Sequence, residues 1–514
     1  MNDPSTRTQG SGSGEVWVDG QLCSAPCRVV APIDLDLAVA AVPDETSRFA
    51  GFAGDCAGDT CSIPAATAPV VVFAEFASVL EWVRSFPIPS SDAVTLALAA
   101  DQAGIGVAVT AGRSLAVEGV TYQEPFINRN YSPYVLDMDL DGGVRWVVPL
   151  YDTVDAGAAY TGITATALAR APAGAWLVAG GCSQGHFGGV PCGTLTSVAE
   201  APLLVEVADA GVRRFLLRGD LSGAFGAKFL EADFLASTAL LRFYRFQAGA
   251  LWTEGFLSLD ANWDAGVVAE ASDYQDRGNA EATSVEGSCL PAGEALLCAG
   301  AVTGDFTGLG CPLSTSSGTG TDLALFRFSP SGQCDLVDRR PSSDYVTVVG
   351  LSRAQDGGLN VAGDAQGVLQ FGPGLSTGPG AALADQWIAT FDRGAYSQLW
   401  TSTSTSFAML KDVLPLEGRT LVLKSNRPGF LRLGWQLVWS SDDPDGLRLR
   451  TILTFDANGV VRRRWPILSS LASREELRLG HMTRVGDLLI VPSSAPGTAF
   501  AASRLRPTCR CGCS

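Results

Sequence analysis

The sequence predicts an all-β protein: a seven-bladed β-propeller, with six blades as the alternative, behind a small N-terminal β domain. Three observations predict it. A β-hairpin of similar pattern, often ending in Trp, recurs along most of the chain. A short apolar run bounded by turn residues recurs between those hairpins. The region opens on the second arm of such a hairpin, LEWVRSF around Trp82, and ends on the first arm of another, AFAASRLRP. Two half-hairpins at opposite ends of a repeat array can pair and close a ring.

At the N-terminus, Met1 to Gly14 is polar and Gly/Ser-rich, and residues 1–13 read as a flexible lead. No apolar h-region of a signal peptide occurs there. From Gly14, β-prone runs alternate with Gly, Pro and Asp turns through Phe76, which suits strands joined by tight turns. Within them SRFAGFAGDCAGDTC, Ser47 to Cys61, leads on to VVVFAEF. Phe49, Gly51, Phe52, Gly54, Asp55, Cys56 and Cys61 resemble the divergent internalin-type B-repeat of exported bacterial proteins, with Phe52 where that family usually has Trp. The resemblance covers residues 14–76 and implies a β-grasp-like module that acts as a spacer or adhesive unit. It carries no catalytic residue. From the residues alone, Phe49 and Phe52 read as core plugs beside the cysteines.

The repeat region spans residues 77–508. Its hairpins are LDMDLDGGVRW to Trp146, VEVADAGVRRF to Phe215, RFYRFQAGALW to Trp252, FRFSPSGQCDL to Leu336, ATFDRGAYSQLW to Trp400 and LTFDANGVVRRRW to Trp465. Trp82 and Trp146 are 64 residues apart, and Trp400 and Trp465 are 65 apart, so the period spans one four-stranded unit. The interval from Phe215 to Trp252 is only 37 residues, which keeps six blades open. The second element, as in GAWLVAGG, EALLCAG, GGLNVAG, GRTLVLK and GDLLIVP, suits buried inner strands. With the D-x-x-G-x-x-x-W hairpins, the Gly-punctuated loops that follow several of these runs resemble propeller repeats of exported bacterial proteins, myxobacterial ones included. The tail, residues 509–514, is CRCGCS, and it resembles the cysteine opening of myxobacterial C-terminal sorting tails without their apolar helix and basic cluster.

Charge and cysteine content bound the function. A formal charge of −17 with no Lys/Arg cluster argues against nucleic acid as a partner. No run approaches the roughly 18 apolar residues of a membrane span. Of thirteen cysteines, ten fall in short-range pairs: Cys23/Cys27, Cys56/Cys61, Cys182/Cys192, Cys289/Cys298 and Cys311/Cys334. With only two histidines in the chain, disulfides outweigh zinc, and an oxidising compartment follows. The expectation is an extracellular or cell-surface protein whose export signal has been removed.

Candidate chemistry is sparse. Asp137, Asp139 and Asp141 before Gly142 spell DMDLDG, the opening of a calcium loop, although Val148 stands where a bidentate Glu belongs and the repeat favours an ordinary polar turn at this hairpin. Calcium is the one cofactor considered. His186 and His481 neighbour no nucleophile in sequence, so no catalytic triad is expected. Because propellers bind at the ends of their channel, the Gly/Cys loops holding His186, Phe187, Asp305 and Phe306 are the expected ligand contacts. The first expectation is therefore a non-enzymatic binding or structural protein that presents propeller loops to a glycan or protein partner. The alternative is a carbohydrate-active propeller enzyme, a glycosidase or lyase using paired carboxylates, and carboxylates converging at a channel mouth distinguish it.

Overall fold

The computed structural model describes residues 5–9, 14–23, 27–28, 36–43, 47–56, 58, 60–63, 70–78, 80–86, 95–111, 114–123, 132–150, 162–183, 186–192, 200–217, 226–235, 238–247, 251–260, 262–263, 265–275, 288–292, 295–302, 322–329, 333–344, 346–353, 358–378, 385–404, 409–416, 419–425, 429–433, 436–441, 449–455, 461–468, 483–485, 488–495 and 498–505. Every regular element among them is a β-strand. The chain divides into two compact units, one of Met1–Val83 with Arg484–Val491 and Ser503–Ser514, the other of Arg84–Thr483 with Pro492–Ala502.

In the first unit, Gly14–Val18, Gln21–Cys23, Leu37–Pro43 and Cys61–Ile63 form one four-stranded sheet, and Ser5–Gln9, Cys27–Arg28, Ser47–Gly54 and Val71–Ser78 form another. Alternation decides what is buried: Val16, Val18, Leu37, Val39, Phe52, Val72, Ala74 and Phe76 point into one core. Phe49 meets Phe52 and Phe76 edge-on at ring separations of 4.7 and 6.0 Å. The expected flexible lead is corrected in part: Ser5–Gln9 is a strand, parallel to Val71–Glu75, because that neighbour's backbone offers it a ladder of hydrogen bonds.

The repeat region is a β-propeller of antiparallel four-stranded meanders. Sheet I holds Thr95–Asp101, Gly104–Ala111, Ser132–Met138 and Val144–Pro149; sheet II holds Gly162–Arg170, Trp176–Ser183, Glu200–Ala208 and Gly211–Leu217. Sheet III is Gly226–Leu235, Thr238–Gln247, Leu251–Leu259 and Ala265–Gln275; sheet IV is Ser288–Ala292, Ala295–Val302, Asp322–Phe328 and Cys334–Arg340. Sheet V starts with Val346–Arg353, Leu359–Ala365, Asp385–Asp392 and Ala395–Ser404, and sheet VI is Met409–Leu416, Arg419–Ser425, Leu449–Phe455 and Val461–Leu468. A further sheet takes Thr483–Val485, Leu488–Ala495 and Thr498–Leu505 from late in the sequence and Leu80–Phe86 as its outer strand. The two half-hairpins of the sequence are thus the two arms of one sheet.

Successive sheets pack through first strands, with Gly162–Arg170 against sheet I, Gly226–Leu235 against sheet II and Val346–Arg353 against sheet IV. The apolar runs of the GAWLVAGG type are the second strands of their sheets, inner strands flanked by the first and third. One assignment shifts. RFYRFQAGALW joins the second and third strands of sheet III, whereas its true third-to-fourth hairpin is LSLDANWDAGVVAE. The 37-residue interval therefore separates a third-to-fourth hairpin, at Phe215, from a second-to-third one, at Trp252.

The Ala-Gly of the second strands has a steric cause in two sheets. Sheets II and V have a bulge in the first strand, between Ala165 and Ala167 and between Val348 and Gly350. A Cβ on Gly180 would sit 1.8 Å from the Thr164 carbonyl oxygen, and one on Gly363 would sit 1.9 Å from that of Thr347. Sheet IV has a first strand in regular register, and Gly300 there has open space.

Sheets that radiate from an axis diverge outward, so the wedge between outer strands needs large side chains. Hairpins inserted between second and third strands supply some of them: Ser114–Val117 with Val120–Gln123 in sheet I, His186–Phe187 with Val190–Pro191 in sheet II, and Gln370–Gly372 with Leu375–Ser376 in sheet V. Phe187 is buried against Phe215, 5.0 Å ring to ring, in a core shared with Val148 and Leu150 of sheet I. Phe371 lies 5.2 Å from Trp387 and 4.9 Å from Tyr396. The hairpin of sheet VI, Gly429–Leu433 with Gln436–Ser441, instead extends sheet V by pairing with Ser402–Ser404.

Candidate functional site

Among the described residues of the propeller unit, a dense set of charged side chains joins sheets I and II. Asp101 and Arg170 are the last residues of adjacent first strands. First strands line a propeller's channel, so these ends lie at one mouth of it. Asp101 Oδ1 accepts hydrogen bonds from the Ala103 and Gly104 backbone N–H groups at 2.9 and 3.0 Å, and its Oδ2 lies 3.6 Å from Arg170 Nε. On its other side Arg170 Nη1 donates to Asp137 Oδ1 at 3.3 Å. One guanidinium therefore bridges two carboxylates, one 44% exposed and the other 4%.

Asp137 is held from three directions. Its Oδ1 also accepts from Trp176 Nε1 at 2.7 Å, and its Oδ2 accepts from Arg145 Nη1 at 2.9 Å. Arg145 Nη2 donates onward to the Ala103 carbonyl, and the Arg170 guanidinium stacks 4.6 Å over the Trp176 ring. Trp176 is wholly buried, and a Cβ on Gly106 would strike its ring at 2.6 Å, so glycine is what lets the indole cross the face of sheet I. A carboxylate with three charged or N–H donors is fixed in place and orients both arginines.

The corresponding position of sheet II is Glu206, next to the bulge before its last hairpin as Asp137 is in sheet I. It pairs with Arg214 Nε at 2.5 Å, and Arg214 stacks 4.3 Å over Trp263, whose φ of 66° is a strained value for a bulky residue. At sheets IV and V the wholly buried Asp322 accepts from Arg339 Nε at 2.6 Å and from the Ser342 N–H at 3.3 Å. Asp338 pairs with Arg340 at 2.8 Å, but burial outweighs that partner and pushes its carboxyl up. Burial, then the charge of Asp338, pushes the Tyr396 phenol far above its usual range, and the Tyr396 hydroxyl finds no hydrogen-bond partner.

The sequence candidates fare unevenly. Phe187 fills the wedge between outer strands and offers no surface at the channel mouth, so its expected role as a ligand contact is corrected. His186 pairs through its backbone with Pro191 in the same hairpin, and its side chain lies outside the described residues. Asp305 and Phe306 also lie outside them. Asp137, Asp139 and Asp141 do not converge: Asp137 binds arginines and Trp176, whereas Asp139 Oδ1 accepts the Asp141 and Gly143 N–H groups at 2.9 and 2.7 Å, closing the turn. Among the described residues no group of three or more His, Cys, Asp or Glu is placed to hold a metal ion. Asp101, Arg145, Arg170 and Trp176 were not singled out from the sequence. The available signal was the register of the repeat, which sets Asp101 and Arg170 at equivalent strand ends.

Disulfides join Cys56 to Cys61, Cys182 to Cys192 and Cys289 to Cys298. Cys23 and Cys334 are disulfide-bonded as well, and the side chains of Cys27 and Cys311 lie outside the described residues. The bonded pairs fit an oxidising, non-cytoplasmic compartment. No described helix is long and apolar enough to cross a membrane.

No family model matches the sequence, and no curated protein matches it at a significant level. Solved structures similar to the chain include the β-propeller domain of the trilobed protease from Pyrococcus furiosus, at TM-score 0.41 and 8% identity over 81% of this chain and 97% of that one. An ulvan lyase, a polysaccharide lyase, is similar at TM-score 0.43 and 8% identity, over 82% of this chain and 95% of that one. A Hadza microbial sialidase is similar at TM-score 0.34 and 9% identity, over 93% and 74%. The expectation of a non-enzyme is corrected here. Similar structures bear mostly enzyme names, and a propeller scaffold gives no ground for excluding catalysis.

Proposed function

We propose that the protein is an exported, carbohydrate-active propeller of glycosidase or lyase type that works at the channel mouth formed by sheets I and II. The observation that carries the reading is the ion-paired trio in which Arg170 bridges Asp101 and Asp137: Asp101 and Arg170 end adjacent first strands, and Asp137 holds the guanidinium from the third strand of sheet I. An acid open at a strand end, with a guanidinium fixed beside it by a buried second acid, is the feature that supports such an enzyme over a propeller with an apolar or small-residue lining. Asp101 is the member open to solvent, able to meet a sugar hydroxyl or exchange a proton with it. Asp137, locked by Trp176 and both arginines, sets their orientation. A site built on strand ends and supported by buried partners is preorganised, as recognition of a flexible polymer requires.

In this reading the N-terminal unit is a spacer, consistent with its resemblance to B-repeats, and the protein acts outside the cell. The test is a polysaccharide panel assayed for new reducing ends and for the ultraviolet absorbance of unsaturated uronates, with affinity electrophoresis alongside. Turnover that Asp101→Asn reduces at least about hundredfold supports the reading. A panel with neither retention nor turnover overturns it.

A further inference from the structure

We infer that the N-terminal unit is more than a spacer: it is the latch that holds the propeller ring closed, whatever the propeller binds. Val71–Ser78 belongs to the first unit, Leu80–Phe86 is the outer strand of the closing sheet, and Val79 alone separates them in sequence. Val71–Ser78 is firmly held. It has a backbone ladder on each side, to Ser5–Gln9 and to Ser47–Gly54, and its Val72, Ala74 and Phe76 are wholly buried in the core of the unit. Cys56 follows one strand of that sheet and Cys61 opens a strand of the other, so their disulfide ties the two sheets together.

The closing sheet is shared between the two compact units. The first unit takes in Met1–Val83, Arg484–Val491 and Ser503–Ser514, whereas Arg84–Thr483 and Pro492–Ala502 belong to the propeller unit. Three neighbouring strands, Leu80–Phe86, Thr498–Leu505 and Leu488–Ala495, therefore each cross from one unit into the other. The parts that fall in the propeller unit, 84–86, 498–502 and 492–495, are three to five residues long, at the short end for strands. Their pairing must also bridge Phe86 and Thr498, 412 residues apart in sequence, and so meets the entropy of closing the whole ring. Short ladders that carry a long loop closure depend on the half-sheet folded with the first unit. Whatever melts the first unit thus opens the ring at this sheet, while the remaining sheets, each a local meander, stay folded.

Native-state hydrogen exchange on the full chain tests the latch. Phe76→Ala should lower protection of the Val71–Ser78 amides at least about hundredfold. The amides of Leu488–Ala495 and Thr498–Leu505 should fall by the same factor, and those of Leu359–Ala365 in sheet V should not change. Val72→Ala, a gentler loss from the same core, should give the same pattern at about tenfold and keeps the test open if Phe76→Ala does not fold. Coupling is reciprocal, so Ala501→Pro, which removes an N–H from the strand between Leu488–Ala495 and Leu80–Phe86, should lower protection in Val71–Ser78 as well. Protection kept in the closing sheet while Val71–Ser78 loses it overturns the latch, and so does a closing-sheet variant that leaves Val71–Ser78 unchanged. An equal fall in Leu359–Ala365 overturns it too, since that marks one cooperative fold with no separate latch.

Discussion

Replacing Asp137 with Ala probes the joint between sheets I and II directly. Three donors lose their acceptor together. The Trp176 N–H is wholly buried with Asp137 at 2.7 Å, and stranding it costs about 2 kcal/mol. Arg170 is 16% exposed and keeps Asp101 at 3.6 Å, so its loss is about 1 kcal/mol. Arg145 is 39% exposed and rehydrates, adding no more than about 0.5 kcal/mol. The sum is about 3 kcal/mol, below the 3–5 kcal/mol range's upper end because both cations retain other contacts. Since a chain of two units need not unfold in one step, the suitable assay is native-state hydrogen exchange. Protection of the Gly104–Ala111 and Trp176–Ser183 amides should fall about a hundredfold, while that of Leu359–Ala365 in sheet V is unchanged. Trp176→Phe should reproduce most of the loss, and the double variant should lose little more. A fall below about threefold in sheets I and II would refute the idea that this carboxylate holds them together.

Other outcomes follow from the same geometry. Gly363→Ala should destabilise by more than about 3 kcal/mol in urea titration, because its Cβ would enter the Thr347 carbonyl, whereas Gly300→Ala should be near neutral. Phe187→Ala should lower stability by about 3–5 kcal/mol and leave polysaccharide retention unchanged, as a wedge between outer strands would and a ligand contact would not. The Tyr396 phenol is raised in the folded state, so that state holds its proton longer than the unfolded chain does, and stability falls as pH rises past the ordinary value of 10.0. Tyr396→Phe should remove this alkaline loss, read from melting temperature against pH, and should cost nothing at neutral pH because the buried hydroxyl has no partner. Asp338 behaves alike in acid: its raised carboxyl favours the folded state below the ordinary value of 3.8, and that contribution disappears as pH rises through its higher folded value. Asp338→Asn should flatten the melting curve in that window.

Much of the architecture is legible in local sequence signals. The third-to-fourth hairpins of sheets I, II, IV, V and VI coincide with the repeats read from Trp146, Phe215, Leu336, Trp400 and Trp465, since turn residues and alternation are local signals. The error at RFYRFQAGALW shows the limit of that logic. Two strands joined by a Gly-containing turn read alike whichever neighbours in a sheet they are, and only pairing on both sides tells the second from the third. Phe187 was misplaced for a related reason. A Phe beside paired glycines looks like an exposed loop tip, yet Gly188 and Gly189, at φ of 57° and 78°, turn the hairpin so that the ring faces inward.

The channel mouth lay at the far edge of what a sequence conveys. Asp101 stands 36 residues before Asp137, and Arg170 a further 33 beyond it, with no local spacing to mark them as partners. Strand-forming runs, glycine turns and cysteine pairs act over a few residues, so they determined the β class, the repeat and the staples. Which carboxylate meets which guanidinium depends on how adjacent sheets are staggered and on an indole crossing between them at Gly106. Those are long-range packing outcomes, and only the folded arrangement decides them.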